Sequence, residues 1–166
     1  MKVLRLHGGG DLRLHDEPEP VPGPGEALLR VTAVGLCGSD LHWFAEAGIG
    51  DEWLARPLVL GHEFAGVIES DERYGQRVAV DPAVPCGACE FCLEGNPNFC
   101  DNLIFAGHGS DDGALREVMA WPARNDGLPV AGVTLVQFVP SHSQVSFIDH
   151  ETMYPPKRIT RCLAAS

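Results

Sequence analysis

A mainly β domain of short strands, most simply a barrel or a sandwich, is the fold class the sequence predicts. Three observations carry it. Short runs rich in β-branched and apolar residues recur along the chain. The 19 glycines and 13 prolines are frequent but not periodic, as turns between strands require. Helical signal is weak throughout, and no internal repeat is present.

The elements follow in order. Leu12 to His15 alternates and reads as a strand, closed by the proline-rich turn Pro18 to Pro24. Glu26 to Leu36 reads as a longer strand, clearest at Val31-Thr32-Ala33-Val34. Ser39 to Ala45 reads as a short turn of helix, with Ser39 or Asp40 as its cap. Phe64 to Glu69 and Arg77 to Val80 are two further strands, joined by a turn over Ser70 to Gln76. Leu115 to Trp121 completes the set. Residues 1–125 carry 9 basic and 20 acidic side chains, whereas residues 126–166 carry 3 of each. That break places a domain over 1–125 and a tail of different character over 126–166, with an apolar, β-prone stretch at Val130 to Val139.

The 166 residues are 45% hydrophobic and 21% charged, enough to bury a core and unlike a disordered chain. A net charge of −11 argues against nucleic acid and anionic membrane as partners. No apolar run reaches the length of a spanning helix. The first residues are too short and too charged for a signal peptide. A cytoplasmic protein is expected. Its six cysteines then read as metal ligands or catalytic groups before disulfides.

Four of them form the strongest motif: Cys86-Gly87-Ala88-Cys89-Glu90-Phe91-Cys92, then Cys100 after seven residues. Two-residue gaps let a turn present successive sulfurs to one ion, and the lobe returns the fourth. Four thiolates suit a closed tetrahedral zinc site of structural type. The ferredoxin run instead places its fourth cysteine three residues on, followed by proline. The seven-residue gap and Asp101 favour zinc. A second set is Cys37, His62 and Glu63, in Gly35-Leu36-Cys37-Gly38-Ser39-Asp40-Leu41-His42 and Gly61-His62-Glu63-Phe64-Ala65-Gly66. One thiolate, one imidazole and one carboxylate with a vacant fourth position is a catalytic zinc pattern. Spacing alone leaves this even against a buried cysteine and an ordinary histidine.

These segments, with Gly75 to Val80 and Asp112 to Glu117, resemble in order and separation the N-terminal catalytic domain of zinc-dependent medium-chain dehydrogenases/reductases. That family includes alcohol, sorbitol and threonine dehydrogenases. The resemblance covers roughly residues 1–125. It implies a GroES-like, partly open β-barrel with a zinc-binding lobe, and two zinc ions per chain. Cys37 and His62 would bind catalytic zinc, with Glu63 as third ligand or as an exchanging neighbour. Asp40 would accept a hydrogen bond from His62 and fix its tautomer. Ser39 would sit beside the substrate hydroxyl and His42 would relay its proton outward. Ser39 and Asp40 also read as plain helix caps, and His42 as a surface histidine.

The Gly-x-Gly-x-x-Gly device of a Rossmann domain is not found. The nearest stretch, Gly107-His108-Gly109 to Gly113, has its last glycine one residue late and two aspartates that repel a pyrophosphate, and reads as a surface turn. The last 41 residues are too few for several βαβ units. The expectation is therefore a catalytic domain of an alcohol or polyol dehydrogenase acting on a small hydroxylated substrate. Its reading frame reads as truncated or shifted, and turnover requires NAD(P) held by a Rossmann domain supplied from elsewhere. A non-catalytic zinc module or pseudoenzyme, associating with full-length relatives or with itself, is the alternative; a chaperonin role is weaker.

Overall fold

The computed structural model describes residues 1–125 and 146–149. Val130 to Val139, Cys162 and most of the tail lie outside the described residues. Among those described, strands dominate and the helices are short.

The chain opens on a two-stranded ribbon, β1 (Lys2–Gly8) and β2 (Asp11–Asp16), paired antiparallel. The sequence reading found β2 but not β1, whose mixture of basic and apolar residues hides its alternation. The ribbon is stitched to the body by exchanged backbone bonds between Leu6 and Leu58 of 2.8 and 3.0 Å. A bond of 2.6 Å from the Gly10 N–H to the Phe44 carbonyl adds to them.

The main sheet centres on β3 (Glu26–Leu36). Its other members are β6 (Glu63–Ile68), β7 (Arg77–Val80), β10 (Val118–Pro122) and β11 (Ser146–Asp149). The order is β10-β3-β6-β7, and β11 pairs with the far half of β3, Ala33 to Leu36. The small pairs β4 (Gly48–Ile49) with β5 (Glu52–Trp53), and β8 (Ala83–Val84) with β9 (Ile104–Phe105), lie outside this sheet. No closed barrel forms among these strands; the fold is a partly open β structure.

Alternation decides the faces. In β6, Phe64, Gly66 and Ile68 are buried and their neighbours are not; in β7, Val78 and Val80 are. β3 buries Ala27, Leu29 and Val31, then breaks step and buries Val34. The break is a bulge: the register with β6 slips between Val31 and Ala33. Thr32, the extra residue, is exposed, and its Oγ1 donates to the Ala65 carbonyl at 3.3 Å. A bulge flips the phase of everything after it. The core gathers Val3, Leu6, Leu29, Leu58, Ile68, Trp43 and Met119. Each large apolar side chain buried there contributes about 1.5–3 kcal/mol.

The helix α1 (Gly38–Glu46) follows β3 directly. Its cap is Cys37, in extended conformation at φ −85°, ψ 166°, and neither Ser39 nor Asp40. Asp40 sits in the first turn and its Oδ2 accepts the Cys37 N–H at 2.9 Å. The helix closes at Ala47, left-handed at φ 55°.

A candidate metal centre and its sulfur lobe

β3 ends at Leu36, so the next residue leaves the sheet where α1 begins. β6 starts at Glu63, so His62 and Glu63 leave at the same end of the neighbouring strand. Antiparallel pairing of β3 with β6 thus brings residues 25 positions apart to one place. One ligand-type atom from each of Cys37, His62 and Glu63 lies within 4.8 Å of the others, and all three side chains are half-buried.

Asp40 holds this place together. It is the buried charged side chain of the described core, 2% exposed. Oδ2 takes the Cys37 N–H, and Oδ1 takes the Gly61 N–H at 3.0 Å. One carboxylate therefore ties the backbone before α1 to the backbone before β6. Its Oδ1 also stands 3.6 Å from His62 Nδ1, an ion-pair distance longer than a hydrogen bond. The Asp40 carboxylate lifts His62 to about 9 against the opposing effect of burial, with Cys37 adding to the rise. Burial alone would raise the Cys37 thiol. Hydrogen bonds from the Ser39 backbone and hydroxyl, with His62 beside it, outweigh that and bring it below its ordinary value. A thiol inclined to ionise beside an imidazole and a carboxylate fits a borderline divalent ion such as zinc.

Backbone geometry behind His62 is tight. Gly61 adopts φ +93°, and a methyl there would stand 2.7 Å from Val34 Cγ1. A methyl on Gly107 would stand 2.9 Å from the Gly61 nitrogen, and one on Gly113 would collide with the Gly61 carbonyl oxygen. The Gly113, Ala114 and Leu115 N–H groups donate to the carbonyls of Val59, Gly61 and Leu60 at 2.7, 2.8 and 3.0 Å. The stretch read as a surface turn does turn between His108 and Asp111, with Ser110 exposed, but its ends also support the site: Ala106, Gly107 and Gly113 are buried. Close approach between segments distant in sequence leaves no local signal apart from the glycines themselves.

A chain of ring contacts that the sequence reading did not select runs away from His62. The Phe105 ring lies 5.5 Å from that of His62 and 6.2 Å from that of His108. Trp43, buried on α1, meets His108 edge-on at 5.6 Å, and its Nε1–H has no hydrogen-bond partner. His108 Nδ1 lies 3.2 Å from Glu52. Ser39, in the first turn of α1, favours the ionised form of the Cys37 sulfur through its backbone and its hydroxyl. His42 projects outward, 61% exposed, with Nδ1 3.6 Å from Glu46 on the same helix.

The second donor set is the lobe. All four sulfurs of Cys86, Cys89, Cys92 and Cys100 fall within 4.8 Å of one another, and Cys86 and Cys92 are 4.0 Å apart. Tetrahedral zinc with bonds near 2.3 Å puts sulfurs ~3.8 Å apart. Backbone N–H groups aim at the sulfurs: Ala88 and Cys89 at Cys86 (3.4 and 3.3 Å), and Cys86 at Cys100 (3.2 Å). Those from Ala88 and Cys89 bring the Cys86 thiol down to about 6. Burial pushes Cys92 up, and the other three sulfurs push it the same way. Four adjacent sulfurs cannot all ionise without a cation among them, so this donor set also fits zinc. Gly87 and Gly95 take positive φ at the turns, and Cys89 begins the single helical turn α2 (Glu90–Leu93). None of the five described cysteines is in a disulfide.

Known proteins share this architecture. Residues 23–131 match the family described as the alcohol dehydrogenase GroES-like domain. A sorbitol dehydrogenase of Macaca fascicularis is 44% identical over 118 residues, 68% of this chain and 33% of that protein. The chain thus spans about a third of the length of the curated relatives it matches. Among solved structures, L-idonate 5-dehydrogenase from Escherichia coli superposes with a TM-score of 0.70 at 30% identity, covering 75% of this chain and 38% of that one. A short chain alcohol dehydrogenase from Escherichia coli, complexed with the cofactor NADH, gives a TM-score of 0.67 at 37% identity, covering 75% and 37%. Among the described residues no helix is long and apolar enough to cross a membrane.

Proposed function

The chain belongs to the alcohol dehydrogenase GroES-like domain family, and from that premise we propose that it is the zinc-binding catalytic part of an alcohol or polyol dehydrogenase. The observation that carries this reading is the convergence of Cys37, His62 and Glu63 within 4.8 Å at one end of β3 and β6. Those three residues would hold a catalytic zinc with one position left for substrate, and Cys86, Cys89, Cys92 and Cys100 would hold a closed, structural one. When bound, zinc supplies Lewis acidity that lowers the pKa of a substrate hydroxyl, and a nicotinamide supplies the hydride acceptor.

The chain's own residues do the rest. Asp40 keeps the His62 ring turned toward the site, leaving Nε2 for the ion. The Ser39 hydroxyl, within reach of the Cys37 sulfur, accepts the substrate proton and stands at the start of a path outward. His42, exposed and beside Glu46, delivers that proton to solvent. Phe105, packed against the His62 ring, and His108 beyond it shield that side of the site from water. Free thiols in both donor sets suit a reducing compartment, so the cytoplasm is the proposed location.

Metal analysis tests the reading. Purified protein is expected to carry one zinc for each of the two donor sets. Cys37→Ser should lose the first and keep the second, and Cys89→Ser the reverse. A protein that loses no zinc on Cys37→Ser has no catalytic metal at this place.

A further inference from the structure

Asp112 belongs to neither donor set, yet it stands between the N-terminal ribbon and the backbone that leads into His62. Its side chain is 20% exposed. Oδ1 accepts the N–H of Val59, three residues before His62, at 3.1 Å. The residues that follow continue the contact, because the N–H groups of Gly113, Ala114 and Leu115 donate to the carbonyls of Val59, Gly61 and Leu60. Residues 112–115 therefore run alongside 59–61, and Asp112 supplies the first rung from its side chain. The Gly61 N–H is taken from another side, by Asp40 at 3.0 Å. Two carboxylates thus grip the backbone entering His62, one from α1 and one from the segment after β9.

Asp112 is itself held. Arg5 of β1 donates through Nη1 to Oδ1 at 3.0 Å, and its Nε and Nη2 hold Glu17 at 2.5 and 2.9 Å. The same Nη1 donates to the Pro57 carbonyl at 3.3 Å, so the ribbon reaches the incoming segment directly as well. Arg56 and Arg116 approach the Asp112 carboxylate to 3.7 and 3.9 Å. A charged acceptor so placed makes a stronger bond to an N–H than a neutral one. Arg5 and Glu17 both precede residue 23, where the match to the family domain begins. Resting on the dehydrogenase reading above, we propose that Asp112 is a positioning residue for the Cys37, His62 and Glu63 metal centre: by fixing Val59 it sets where the backbone delivers His62. Metal ligands must be held to within about 0.5 Å of their working geometry. The Asp112 rung comes from a side chain, so substitution removes it and leaves the backbone ladder behind it in place.

Competition for zinc tests this. The zinc-loaded full chain is titrated with a chelator, and alkylation of the cysteines, mapped by peptide mass, tells release at Cys37 from release at the lobe. Asp112→Ala should hold zinc at Cys37 about tenfold more weakly, the low end of what removing a ligand's support costs, with the lobe unchanged. Asp112→Asn keeps an oxygen for the Val59 N–H and should stay near wild type. Asp112→Ser, polar but too short to reach Val59, takes the place of the alanine variant if that one does not fold. Ile68→Val is the control: at the far end of β6 and fully buried, it thins the core away from this contact and should bind zinc as wild type does. Unchanged affinity in both Asp112→Ala and Asp112→Ser overturns the proposal. Equal weakening in Ile68→Val and Asp112→Ala also overturns it, since lost stability alone would then move the metal. A wild type with zinc in the lobe and none at Cys37 overturns the dehydrogenase reading as well.

Discussion

The four lobe cysteines fall within 15 residues of chain, whereas Cys37 and His62 stand 25 positions apart and meet through the pairing of β3 with β6. The lobe has little apolar interior. Leu93 is 75% exposed and Phe99 63%, and within it only Cys100 is buried. Its sulfurs are gathered by turns and by N–H groups from the same short loop. The Cys37 set instead borrows its shape from the hydrophobic core, from Asp40 and from glycines packed backbone to backbone. A region that organises its ligands locally depends on its ion for order; a region whose ligands are delivered by a packed sheet keeps its shape without one.

Stripping the metal should therefore break the two regions differently. Bound zinc is worth on the order of 10 kcal/mol to a lobe of this type. After chelation, amides of residues 86–100 should lose protection from hydrogen exchange while those of β3 and β6 retain it. Uniform loss across both regions would mean that the contrast is mistaken.

The reverse experiment strikes the second region. Gly61→Ala places a methyl at φ +93° against Val34, and Gly113→Ala drives one into the Gly61 carbonyl. Each should destabilise the domain by about 2–4 kcal/mol in urea denaturation and abolish zinc at Cys37, while lobe zinc is kept. Stability within about 0.5 kcal/mol of wild type would show that the close approach relaxes freely.

The smallest expected effect is a pH dependence of the metal-free chain. Asp40 raises His62 from its ordinary 6.5 to about 9. A raised histidine binds its proton more tightly folded than unfolded. Its contribution is therefore complete below pH 6.5 and is lost as the pH rises through about 9. Denaturation at both ends of that window should show wild type losing more stability than His62→Gln. Parallel curves for the two proteins would remove Asp40 from its assigned part.

Legibility followed the same division. The cysteine spacing announced the lobe as a unit, because everything needed lies within one short loop. β3 was legible from Glu26 to Leu36, and β7 from Arg77 to Val80, because one buried face writes itself as alternation. β1 was not, since Lys2, Arg5 and His7 interrupt its apolar residues. The helix cap went to Ser39 or Asp40 on composition, but a cap is defined by backbone angles, and the extended residue is Cys37. The support given by Gly107 and Gly113 depends on contact with Gly61 about 50 positions earlier, and no local pattern records that. Spacing left the Cys37 set undecided; resemblance to known dehydrogenases named it.

Thr32 shows how little the identity of the donors settles by itself. It is one uncounted beat in β3, and every residue after it keeps time from there. Were it deleted, Val34 would turn toward water and Cys37 would arrive on the wrong side of the sheet. All seven donor residues would still be spelled out in the chain, and three of them would no longer be in the same room.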